Sequence, residues 1–200
     1  MLIEKIEIKS PRNPNIFNVT IDGEIHKLHS EIIVKYGLAT NGEIEQDVLN
    51  EILFESDVII ATNLAMNYIS SRVISTKQLK DYLKNKGYKS NVIKRVIDKF
   101  DEYSILNDEN YANCYISSKQ NVMSKRAIQN KLMQKGVSKE IIENCTSEYD
   151  ELPVAENIAN KFLKNKEINE ENINKLIRHL NYKGFNYEII SKILDKLKNT

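Results

Sequence analysis

Three short stretches of the chain share one pattern: LKNKGYKSNVI from Leu83 to Ile93, LMQKGVSKEII from Leu132 to Ile142, and LNYKGFNYEII from Leu180 to Ile190. Gly87, Gly136 and Gly184, half of the six glycines in 200 residues, lie 49 and 48 residues apart. A period of that length marks a helical array. Four and eight residues before each glycine stand Leu79/Leu83, Ile128/Leu132 and Leu176/Leu180, at helical spacing. One residue after it comes Tyr88, Val137 or Phe185, followed by Val92/Ile93, Ile141/Ile142 or Ile189/Ile190. Each unit reads as helix, glycine, helix, with apolar stripes that face each other.

The glycine has a backbone reason. A helix commonly stops when the residue after its last turn goes left-handed, which costs glycine almost nothing. The next helix then starts on Ser90, Ser138 or Asn186 as a cap. Upstream, Ser75-Thr-Lys-Gln78 matches a capping box, Ser124 precedes Lys125-Arg-Ala-Ile128, and Asn169-Glu-Glu opens the third copy. A further helix precedes each pair: about 57–71 with Ile60, Leu64, Ala65 and Tyr68, about 108–119 with Tyr111, Cys114 and Tyr115, and about 153–164 with Ala155, Ile158, Ala159 and Phe162.

The first 55 residues differ in kind. IEKIEIK and IFNVTIDGEIHKL alternate apolar and polar residues around an Asp22-Gly23 turn, which predicts a three-stranded antiparallel meander. Short helices over 31–36, ending at Gly37, and over about 45–55 lead into the repeats. The expected fold is mainly α, a tandem array of three three-helix repeats preceded by a small antiparallel β meander and short helices. Its divisions fall at 1–55, 56–106, 107–151 and 152–200. Units this small bury little apolar area alone, so neighbouring repeats should share packing.

Charge is distributed in blocks. The net charge of +1 hides an acidic segment over 1–60 and a basic one over 75–99, where eight Lys/Arg meet only Asp81 and Asp98. Residues 111–139 carry six bases and no acid. Such blocks are either solvated helix faces or patches suited to a polyanion. No apolar run approaches the roughly 18 residues that span a bilayer, so a cytoplasmic protein without membrane contact is expected. Cys114 and Cys145 lack CxxC spacing and read as small core residues rather than a redox pair. His26 and His29, three apart on a strand, point to opposite faces and do not suit a metal. No phosphate-binding or nucleophile motif is present. No enzyme activity, catalytic residue, metal or cofactor is expected.

The order of Asp22-Gly-Glu24, Ile33-Val-Lys-Tyr-Gly-Leu38, an arginine at Arg72, Leu79-Lys-Asp-Tyr-Leu-Lys-Asn-Lys-Gly-Tyr88 and two further Lys-Gly units resembles the RecX family of bacterial regulators of the RecA recombinase. The resemblance spans nearly the whole chain. It implies a non-enzymatic protein that binds the RecA nucleoprotein filament in its groove, bridges protomers, and modulates, mainly by inhibition, filament growth, ATP turnover and strand exchange. Family members are also described as binding DNA, single- and double-stranded, and a monomer is expected.

Arg72 and Ser75 fit the family's Arg-Pro-Arg-Ser pattern, while Val73 and Ile74 depart from it. In the second unit an arginine-rich stretch is reduced to Lys125, Arg126 and Lys131. Fewer guanidiniums mean fewer bidentate phosphate contacts. Lys77, Lys80 and Lys84 share one flank of their helix by spacing. The candidate filament or DNA contacts are Arg72, Lys77, Lys80, Lys84, Lys94, Arg95, Lys125, Arg126, Lys131, Lys175 and Arg178. The alternative reading is a stand-alone nucleic-acid-binding repeat protein using the same basic faces. A helical adaptor for another protein is a third. Lys86, Lys135 and Lys183, before the glycines, read as partners of the negative helix C-termini.

Overall fold

The computed structural model describes residues 1–198. The chain divides into two compact units, one of Met1–Arg72 with Leu79–Ile105, the other of Val73–Gln78 with everything from Leu106 on.

In the first unit, β1 (Ile3–Ile8), β2 (Ile16–Ile21) and β3 (Glu24–His29) form an antiparallel sheet in the order β1-β2-β3. Ile21 faces Glu24 across a two-residue turn in which Asp22 and Gly23 both have positive φ, 45° and 81°. That geometry matches the twist of a hairpin, which fixes the register that alternation alone leaves open. Val19, Ile21 and Leu28 are fully buried against Ile32, Leu49 and Ile52. Helix α1 (Ser30–Lys35) starts directly from β3, its Glu31 N–H donating to Nδ1 of His29.

Helix α2 runs unbroken from Gln46 to Ile69 and replaces the two helices expected over 45–55 and 57–71. No glycine or proline interrupts this stretch, and Ser56, the residue read as a gap, is buried inside it. Its Oγ accepts the His29 N–H at 2.8 Å, so a polar mid-helix residue serves the sheet instead of breaking the helix. Helices α3 (Thr76–Asn85) and α4 (Ser90–Glu102) follow, with Leu79, Leu83, Val92, Val96 and Phe100 buried.

The second unit contains α5 (Asp108–Lys119), α6 (Lys125–Gln134), α7 (Lys139–Cys145), α8 (Leu152–Leu163), α9 (Glu170–Tyr182) and α10 (Tyr187–Lys198). One cluster gathers Tyr111, Ala112, Ile116, Ile128, Leu132, Val137 and Ile142. A second gathers the α8 stripe with Leu176, Leu180, Phe185, Ile190 and Ile193. The fold is thus the mainly helical array of three-helix repeats behind a β meander.

All three repeat glycines are left-handed, with φ of 90°, 82° and 91°. The N–H groups of Tyr88, Val137 and Phe185 reach back to the carbonyls of Leu83, Leu132 and Leu180, and each glycine N–H bonds three residues back. This is the paired-bond stop that positive φ permits. The starts differ in one place. Ser138 and Asn186 cap their helices through Ile141 N–H and Ile189 N–H. Ser90 does not, because it is already the first helical residue, and the cap position holds Lys89, which has no accepting side chain.

Cys114 is exposed, contrary to the expected core placement, and Cys145 is half-buried. The buried face of α5 is Tyr111, Ala112 and Ile116, and at 100° per residue Cys114 lies on its far side.

Candidate functional site: two basic grooves and the joints between repeats

The capping box at the start of α3 forms in full, Gln78 N–H donating to Ser75 Oγ and Ser75 N–H to Gln78 Oε1. That same Ser75 hydroxyl donates to the carbonyl of Lys135 at 2.6 Å. The Lys77 ammonium donates to the Gln134 carbonyl, and the Thr76 N–H donates to Asp108 Oδ1 at 2.7 Å. The end of α6 therefore sits on the first turn of α3, so tightly that a Cβ on Gly136 would lie 2.5 Å from Lys77 Cβ.

A second joint follows the same plan. A Cβ on Gly184, at the end of α9, would lie 2.7 Å from Ser124 Oγ and 3.3 Å from Ala127 Cβ. Ser124 caps α6 through Ala127 N–H, and Lys125 N–H donates to Glu151 Oε2 at 2.8 Å. Each joint combines a buried cap serine, a carboxylate on the first helical N–H, and a glycine turn with no room for a side chain.

Two basic grooves run between helices, one in each unit. The first, about 400 Å³, is lined by Lys80, Lys84 and Lys94 with Ser90, Ile93 and Ile97, and Asp81 and Asp98 stand among the lysines. The second, about 730 Å³, is lined by Arg126, Lys131 and Lys183 together with Asn130, Gln134, Asn181 and Tyr182. No carboxylate lines it. The side chain of Lys131 makes one long contact to Gln134 Oε1 at 3.4 Å.

The remaining candidates are dispersed. Arg72 lies over the Tyr68 ring at 4.7 Å, Tyr68 stacks on Tyr82 at 3.8 Å, and Lys86 covers the other face at 5.5 Å. Arg72 is thus one end of a cation-capped tyrosine stack. Lys77 is held by the joint rather than joining Lys80 and Lys84 in their groove. Arg95 faces a different recess, about 670 Å³, rimmed by Glu31, Glu51 and Glu55. Lys125 is half-buried beside the Ser147 carbonyl, Lys175 is paired with Glu171, and Arg178 Nε donates to the Asn174 carbonyl.

Two groove residues escaped the sequence reading. Tyr182 is 87% exposed and lines the second groove beside its cations. Its signal was available, since it falls about 200° around the helix from Leu180. Lys183 was assigned only to the helix end, because the groove that it lines joins residues some fifty positions apart. His179 stacks on Phe162, and burial, then Lys183 and Lys166, lower its pKa, which suits packing. Among the described residues no cluster of His, Cys, Asp or Glu could hold a metal, and no helix is long and apolar enough to cross a membrane.

Tandem three-helix units seated on one another's helix starts, with cationic grooves between helices, define a helical repeat protein. Residues 61–100 match the family model described as RecX, first three-helix domain, and residues 107–145 match RecX, second three-helix domain. Regulatory protein RecX of Clostridium perfringens (strain SM101 / Type A) is 34% identical over 206 residues, covering 98% of this chain and 96% of that one. RecX of Clostridioides difficile (strain 630) is 32% identical over 99% and 96% of the two chains. The crystal structure of RecX from Lactobacillus salivarius superposes with a TM-score of 0.64 at 26% identity, covering 72% of this chain and 98% of that one. Another RecX crystal structure gives 0.71 over 97% and 98%, at 18% identity, which bears on the fold alone. The chain belongs to the RecX family of regulatory proteins.

Proposed function

We propose that this protein binds the RecA nucleoprotein filament along its groove, contacts more than one protomer, and limits filament growth, ATP hydrolysis and strand exchange. The chain-long similarity to RecX regulatory proteins carries this reading. A filament presents the same surface at regular intervals, and basic grooves on successive repeats of one chain suit such a target. Contacts that bridge protomers fix their relative rotation, so a filament that must alternate between states is held in one.

Within this reading Lys80, Lys84 and Lys94 form one contact and Arg126, Lys131 and Lys183 another. The test is DNA-dependent ATP hydrolysis by RecA filaments with a modest excess of this protein. Suppression that is lost in K80E/K84E/K94E or in R126E/K131E/K183E assigns the groove concerned. No suppression, together with no co-sedimentation with filaments at low salt, ends the proposal.

The acid-free groove beside the exposed Tyr182 favours the second reading, in which the chain binds nucleic acid on its own. Free cations hold phosphates, while an exposed ring stacks a base. Affinity for bare DNA then falls linearly in log salt and shows no preference for the filament.

A further inference from the structure

Both joints run in one direction: the glycine turn of each later repeat seats on the first turn of the preceding repeat's middle helix. Three repeats make two joints, which leaves two halves unmatched. One is the turn at Gly87, which has the same φ and the same backward hydrogen bonds as the seated turns, yet a Cβ there would meet nothing within 4 Å. The other is the first turn of α9, where Asn169 is exposed and caps the helix through Asn172 N–H at 2.9 Å.

We propose that these halves complement each other between molecules, so that the Gly87 turn of one copy seats on the first turn of α9 in a second copy and the chains assemble head to tail. Asn169 Oδ1 is used in the cap, and its amide N–H₂ is placed to donate to the Lys86 carbonyl as Ser75 does to that of Lys135. The seated helix C-terminus meets a helix N-terminus, so the dipoles align as in the internal joints.

Charge distinguishes the open halves from the closed ones. The first turns of α3 and α6 contain no acid, whereas that of α9 carries Glu170 and Glu171, with Glu167 just before it. The Gly87 turn is flanked by Lys84, Lys86 and Lys89, the last standing where the other repeats have Ser138 and Asn186. Lys175 already pairs with Glu171, and Lys86 covers the Tyr82 ring, which leaves Glu167 and Glu170 facing Lys84 and Lys89 as the main attraction. Each copy offers one open half of each kind, so the assembly grows with concentration. The expected monomer is then the dilute state.

The test is sedimentation velocity of the full chain at low ionic strength over rising concentration, without RecA or DNA, so it is independent of the filament reading. The average mass should climb above that of one 23.2 kDa chain and return to it on adding salt. Gly87→Asn is the diagnostic variant. Asparagine accepts the left-handed backbone and finds open space in the single chain, but in a joint its side chain would collide as one on Gly136 would. It should melt like the parent and remain at single-chain mass. Glu170→Lys/Glu171→Lys should do the same and serves if the first variant unfolds. A parent protein that stays at single-chain mass throughout, or folded variants that assemble as well as the parent, would overturn the proposal.

Discussion

Gly136 and Gly184 differ from Gly87 in what surrounds them, although the three share a backbone conformation and a place in the repeat. The first two are pressed against the start of another helix, at 2.5 Å and 2.7 Å for the atom that they lack, while the third faces open space. One residue type therefore answers two demands. At Gly87 the demand is conformational alone. At the joints it is conformational and steric, so packing between repeats depends on the same position that ends the helix.

Substitution separates the two demands. Gly136→Ala and Gly184→Ala combine left-handed strain of about 1–2 kcal/mol with overpacking of about 1–3 kcal/mol. Each should lower stability in urea by about 2–5 kcal/mol, with Gly87→Ala losing only the strain. Equal losses at all three positions would break the comparison. The joint carboxylates come next: Asp108→Ala and Glu151→Ala each leave a helix-start N–H without its acceptor, at a cost of about 1 kcal/mol, read in the same urea titrations.

The smallest expected effect concerns Tyr149, whose hydroxyl donates toward the Gln120 and Met123 carbonyls. Burial, with Glu151 adding, pushes its pKa up to about 12. A pKa raised by folding favours the protonated form, so this contribution is whole below the ordinary tyrosine range and fades as pH rises from about 10 toward 12. Parent and Y149F should therefore differ in melting temperature at pH 8, draw together from about pH 10 and converge near pH 12. A constant difference would mean that the hydroxyl does not ionise with that penalty.

Much of the repeat was legible because its signals are local. A glycine four residues after a buried leucine, and a serine three before a glutamine, fix backbone and caps within one turn of helix. The errors are local too. Ser90 was placed in a cap position that Lys89 occupies, and Cys114 was counted with the apolar face although its angle excludes it. The joints were not legible, because Ser75 and Lys135 are 60 residues apart and neither carries a mark of the other. Lys77 illustrates the consequence: by spacing it belongs with Lys80 and Lys84, while in the structure a carbonyl from the next repeat claims it.

Helix α2 serves two cores along its length, with Leu49 and Ile52 packed under the sheet and its later turns against α4. At 24 residues it is about 36 Å long. Sheet and first repeat thereby share one cooperative element, so amide hydrogen exchange should report a single protection level from β2 through α4. A protease that cuts within residues 46–69 would then release neither half as a surviving fragment.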